Sequence, residues 1–167
     1  KRAGAHYVVE RWGGGLLTNW EQTSKNIKKL TDLKTKKAEG AFAERTKKEN
    51  LLIDREIAKL ERLYGGLVGL EKLPDAVYIV DVKKEENAAH EAVKREVPVV
   101  AIADTNANLD LVSFPIPGND DAIKSIKILT AAVADAYFEG RKAYEKKSAK
   151  EKIELVGEKT LQVTSDK

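Results

Sequence analysis

PDAVYIVDV, from Pro74 to Val82, and VPVVAIAD, from Val97 to Asp104, constrain this chain more tightly than any other part of it. Both are almost unbroken runs of apolar and β-branched residues, as expected of strands covered on both faces. Between them Ala88, Ala89, Ala92 and Val93 recur at helical spacing and form the inward side of a helix. Strand, helix and strand in that order make a βαβ unit, which needs a parallel pair and a right-handed crossover. FPIPG offers a further short strand, Phe114 to Ile116, limited by its prolines. Asn119 then caps a long helix carrying Ile123, Ile126, Leu129, Val133 and Tyr137, which stops at Gly140. Asp120 and Asp121 fall in its first turn, where carboxylates complement the helix dipole. The pattern predicts an α/β fold.

The first part of the chain has a different texture. KRAGAHYVVE reads as a helix end at Lys1 and Arg2, a stop at Gly4 and a short strand from His6 to Val9. Such a beginning, in a chain without methionine, suggests that N-terminal sequence is missing. RWGGGLLTNW follows, three glycines bracketed by the only two tryptophans. Bare N–H groups ahead of a helix form an anion site. No Gly-Lys-Ser/Thr follows the glycines, however, and their spacing is not G-x-G-x-x-G, so a turn is the better reading.

Thr18 followed by Glu21 has the capping-box form, so the glycines feed a helix. Ile27, Leu30 and Leu33 mark one side of it until it fades in the lysine-rich stretch of Lys34, Lys36 and Lys37 and at Gly40. A second capping box, Thr46 to Glu49, opens a helix whose Ile53, Ile57, Leu60 and Tyr64 have the spacing of a coiled-coil seam. Gly65 and Gly66 end it. Two narrow apolar stripes joined by a polar connection, Glu39 to Arg45, describe an antiparallel coiled-coil hairpin over residues 21–64. The hairpin stands away from an α/β domain of residues 1–20 and 65–145, and residues 146–167 form a helical extension that frays into a charged tail.

Composition narrows the function classes. Charged residues make up 34% of the chain, with 30 lysines and arginines against 27 acids, a net charge of +3 that suits nucleic acid without demanding it. The absence of cysteine removes disulfides and thiolate metal sites and agrees with a reducing compartment. No apolar run approaches the ~20 residues of a membrane span, and no signal-peptide pattern opens the chain, so the expectation is a soluble intracellular protein.

Asp81 and Asp104 close adjacent parallel strands, where doubly wound folds place their ligands. With Asp120 or Asp121 they invite a magnesium-dependent phosphotransferase reading. No nucleophile, catalytic lysine or phosphate loop accompanies them, and strand-end carboxylates also cap loops, so no catalytic residue, cofactor or metal is assigned. His6 and His90, the only histidines, sit on unlike elements and make no shared metal site. The basic residues cluster better. Lys25, Lys28, Lys29, Lys34, Lys36 and Lys37 lie on the first hairpin helix, with Arg45, Lys47 and Lys48 across the turn. Charge runs are usually solvated faces, but a cationic rod also suits phosphate backbones. A coiled-coil adaptor that binds no RNA is the remaining alternative.

These residues together resemble the bacterial-type S-two family of small-subunit ribosomal proteins. Its glycine loop has the form E-R-W-L-G-G-T-L-T-N-F, and Glu10 to Trp20 reads ERWGGGLLTNW. The likeness continues through LPDAVYIVDV, the Glu91-Ala92 pair, VPVVAIADTN, FPIPGNDDAI and ADAYFEGR, covering nearly all of residues 3–141. Gly13 and Leu16 replace the usual Leu and Thr, and Ala107, Asn108 and Leu109 stand where Ser, Asp and Pro are common. The resemblance implies a flavodoxin-like three-layer parallel sheet with the coiled-coil hairpin inserted, of which this chain would be the C-terminal two thirds, two sheet strands being absent. It implies a non-enzymatic structural constituent of the small ribosomal subunit, in the cytoplasm or an organelle. The partners it implies are ribosomal RNA and neighbouring ribosomal proteins, including the large mRNA-binding protein S-one, with no membrane and no free homo-oligomer. Expected RNA contacts are Arg11, Asn19 and the nine basic hairpin residues above. Gly13, Gly14, Gly15, Asn106, Gly118 and Asn119 are expected to shape the loops.

Overall fold

The computed structural model describes residues 2–165, with side chains described through residue 147. Its strands β1 (Val77–Ile79), β2 (Val99–Ala103) and β3 (Phe114–Pro117) form one parallel sheet in the order β1-β2-β3. Val77 is paired with Val99, and Val100 with Phe114. The β1 run is far longer in apolar sequence than in pairing, because among the described residues only β2 lies beside it and registers from Val77 to Ile79. Pro115 and Pro117 are tolerated in β3 because that strand is at the sheet edge, where a missing N–H leaves no ladder bond unmade.

Helices α1 (Trp20–Ala38), α2 (Lys47–Tyr64), α3 (Glu86–Lys94) and α4 (Ile123–Ser165) complete the architecture. Ala88, Ala89 and Ala92 of α3 are buried in one apolar cluster with Ile79, Val99 and Ala101 of the sheet and with Leu17, Val82 and Leu111. An alanine stripe lets the helix backbone come close to the strands. Val93, expected inward, is 48% exposed, since one further residue turns 100° off so narrow a stripe. Ile102 is wholly buried, with Gly118 and Leu129 of α4 near it, and the Tyr78 hydroxyl meets Thr130 of α4 at 3.1 Å.

α1 and α2 run in opposite directions side by side. Asn26 donates to the Tyr64 hydroxyl at 3.2 Å near one end, and Lys37 pairs with Asp54 at 2.7 Å near the other. Ile27, Leu30 and Ile57 are buried between and beneath them. The α1 terminus is closed by Gly40 at φ +74°, with Gly40 N–H donating to Lys37 and Ala41 N–H to Lys36. That is the left-handed stop for which glycine has no steric penalty. The α2 start is the expected capping box, Thr46 with Glu49.

Several sequence expectations are corrected. Residues 6–9 form no strand; the Tyr7 N–H donates to the Gly66 carbonyl instead of entering the sheet. Thr18 does not cap α1, whose cap position is Asn19 without a side-chain bond, because the Thr18 hydroxyl is engaged elsewhere. Asn119 closes a turn through the N–H groups of Asp121 and Ala122, so Asp120 and Asp121 precede α4 and are not in its first turn. Nor does Gly140 stop α4, because it does not adopt positive φ; the helix runs on to Ser165. Lys1 and the last residues of the charged tail, 166–167, lie outside the described residues.

Candidate functional site

The glycine loop is an anion site, and its anion is internal. The Glu91 carboxylate, on α3, accepts the N–H of Gly15 at 2.7 Å, of Leu17 at 2.9 Å and of Thr18 at 3.1 Å. The Thr18 hydroxyl and the Trp12 indole N–H add further bonds, each at 3.2 Å. Burial pushes the Glu91 carboxyl up, but the donors of Thr18, Leu17, Gly15 and Trp12 outweigh it and hold the group below its ordinary value. Of the three glycines only Gly15 takes positive φ, at +86°, which turns its N–H and those after it toward one point. Gly13 and Gly14 have open space where a Cβ would stand. Trp12 and Trp20 both pack against the core cluster, so α3 and the entry to α1 are fixed to each other by one carboxylate and two indoles.

Sequence reasoning weighed a phosphate for this loop and missed Glu91. The usable signal is an acid next to Ala92 of the alanine stripe, Ala88, Ala89 and Ala92, in a chain whose glycine run can offer N–H groups to an anion.

The predicted RNA-contact residues separate into two sets. Lys25 pairs with Glu21 at 2.6 Å, Lys29 with Glu56 and Lys34 with Glu61 both at 2.5 Å, and Lys37 with Asp54. Arg11, Lys28, Lys36, Lys47 and Lys48 are exposed and have no carboxylate partner among the described residues. Arg45 lies 5.0 Å from the Phe42 ring centre and forms no salt bridge among those residues, though its charge helps hold the Glu49 carboxyl low. Arg55 and Lys59 of α2, which sequence reasoning passed over, are also exposed and unpaired among the described residues. Asn19 and Asn106 are exposed, Asn106 in a turn after β2.

The strand-end acids are arranged differently from expectation. Asp81, Asp120 and Asp121 bring carboxylate oxygens within 4.8 Å of one another, whereas the Asp104 carboxylate turns to the Thr105 N–H at 2.6 Å. Lys84 serves this group from outside, its ammonium 2.9 Å from Asp81 and 3.2 Å from Asp121. Burial raises the Asp81 carboxyl, but the Lys84 N–H and ammonium outweigh that and hold it low. Asp120 is pushed up, first by burial and then by Asp81, Asp104 and Asp121. The three carboxylates have the hard-oxygen character that a divalent cation takes, with a lysine ammonium standing at two of them. Neither histidine belongs to the group, and His90 lies 3.4 Å from Glu86 on the exposed side of α3.

A family model described as Ribosomal protein S2 matches residues 1–140. Among curated relatives, the small ribosomal subunit protein uS2 of Synechocystis sp. is 48% identical over 141 residues, which cover 84% of this chain and 52% of the relative. The uS2 protein of Dictyoglomus thermophilum is 47% identical over 148 residues, 89% of this chain and 60% of its own length. That of Corynebacterium diphtheriae is 45% identical over 159 residues, 95% of this chain and 60% of its own. The chain thus spans between about half and three fifths of the curated relatives it matches. The match runs through the glycine loop, α1, α2, the sheet and the first part of α4, and by it the chain belongs to the ribosomal protein S2 family.

Proposed function

We propose that this chain acts as a structural constituent of the small ribosomal subunit, holding ribosomal RNA and neighbouring ribosomal proteins during translation and catalysing nothing. The observation that carries the reading is the family match over residues 1–140, together with relatives named as small-subunit proteins over 84–95% of the chain. In this reading residues 1–20 and 65–145 form a flavodoxin-like three-layer domain, residues 21–64 an inserted coiled-coil hairpin and residues 146–167 a charged tail. The cytoplasmic ribosome is its place, and the large mRNA-binding protein S-one is among its protein neighbours. Phosphate contacts fall to Arg11, Lys28, Lys36, Arg45 and Lys47, cations with no salt bridge among the described residues. Lys25, Lys29, Lys34 and Lys37 hold carboxylates of the hairpin itself and act mainly on its shape. A phosphotransferase at Asp81 has little support, because Asp104 is turned away and Lys84 already neutralises Asp81.

The experiment is sedimentation of the full-length tagged protein from its own cells, under conditions that separate the subunits. Cofractionation with small subunits, resistant to moderate salt, is expected. Recovery only at the top of the gradient refutes the reading.

A further inference from the structure

The charges of α2 are sorted to opposite sides. Its four acids are all committed: Glu49 bonds to the Thr46 cap, and Asp54, Glu56 and Glu61 pair with Lys37, Lys29 and Lys34 of α1. On the far side Lys48, Arg55 and Lys59 are exposed, with no carboxylate partner among the described residues. Leu51 and Leu52 stand between them, 51% and 54% exposed. At 100° per residue these five side chains fall in a stripe roughly 100° wide and about 16 Å long. Arg62, at the end of the helix, is drawn off by Glu10 at 3.0 Å.

We propose that this outward face of α2 docks an acidic amphipathic segment of another protein. Such a segment sets Asp or Glu against Lys48, Arg55 and Lys59 and apolar side chains against Leu51 and Leu52. Charge complementarity selects a polyanion, since no acid on this face answers the three cations. The leucines select protein over nucleic acid. Sugar and phosphate offer an aliphatic side chain little apolar area to bury, and RNA-reading surfaces stack bases on aromatic rings or on arginine planes. A protein helix buries the leucines and pairs the cations at once, the apolar centre and charged rim of an ordinary protein interface.

This inference rests on the placement of the chain in the small ribosomal subunit, and one experiment separates the two. The full-length protein is produced in cells with Leu51→p-benzoylphenylalanine or Leu52→p-benzoylphenylalanine. Small subunits are isolated and irradiated, and the cross-linked species are identified by mass spectrometry. The expected product from both positions is a protein segment rich in Asp and Glu. The combined Lys48→Glu, Arg55→Glu and Lys59→Glu substitutions should lower its yield by about tenfold while the protein stays in the subunit. Cross-links to ribosomal RNA, cross-links to a segment lacking acids, no cross-link, or a yield indifferent to charge reversal each overturn the inference. Absence of the protein from the subunit fraction instead refutes the ribosomal placement, and this inference with it.

Discussion

Glu91→Ala removes the acceptor of five donors at once, the N–H groups of Gly15, Leu17 and Thr18, the Thr18 hydroxyl and the Trp12 indole. A hydrogen bond to a charged group contributes about 1.5–3 kcal/mol net, but bonds sharing one carboxylate do not add. Leu17 is 1% exposed, so its N–H has no route to water once the carboxylate is gone. Gly15, Trp12 and Thr18 are only half-buried and recover part of their loss by hydration. Two bonds' worth of uncompensated loss gives an expected cost of about 3–4 kcal/mol. Glu91→Gln keeps one acceptor oxygen but turns an NH2 group toward backbone donors, for about half that cost. Urea unfolding of the full-length protein, followed by tryptophan fluorescence, measures both, because Trp12 and Trp20 flank the loop. A loss below about 1 kcal/mol for Glu91→Ala, or a glutamine variant equal to the parent, would refute the claim that this carboxylate organises the junction.

The pH dependence follows from the same bonds. Glu91 and Asp81 are both held below their ordinary values, so their stabilisation is present above the unfolded-state carboxylate range and is lost as pH falls through the folded-state values. Acid titration of the melting temperature should therefore be shallower for Glu91→Gln than for the parent. Thr46→Ala removes the α2 cap and should cost about 1 kcal/mol with a loss of helical signal, measurable by circular dichroism during urea unfolding. Gly15→Ala should cost more than about 1 kcal/mol because of its positive φ, while Gly14→Ala, which has open space and no such φ, should stay within about 0.5 kcal/mol in the same assay.

What was legible in the sequence is what local pattern dictates. The β-branched runs located β1 and β2, the alanine stripe located α3, and the Thr46–Glu49 box located the start of α2. The failures are places where a distant group outbid a local one. Thr18 has the form of a cap, yet a carboxylate 73 residues away takes its hydroxyl. Gly140 resembles a stop, but a glycine ends a helix only when it adopts the left-handed conformation, and this one does not. Among the candidate contact residues, composition exposed the lysine cluster but not its division. Whether Lys34 is free or held by Glu61 depends on the pairing of two helices, 27 residues apart in sequence. The same pairing engages three of the four acids of α2 and leaves Arg55 and Lys59 without a salt bridge among the described residues.

The salt dependence of binding to small-subunit ribosomal RNA tests the central claim most directly, that the chain is a structural RNA-contacting component whose unpaired cations face phosphate. Two variants of the full-length protein are compared with the parent. One carries glutamine at Lys28, Lys36, Arg45 and Lys47, and the other at the ion-paired Lys25, Lys29, Lys34 and Lys37. Every phosphate that ceases to be neutralised should flatten the slope of log affinity against log salt by about 0.9 on duplex or about 0.7 on single strands. The account predicts a clear flattening in the first variant and little change in the second. Equal slopes in all three proteins, with helix content preserved, would contradict it.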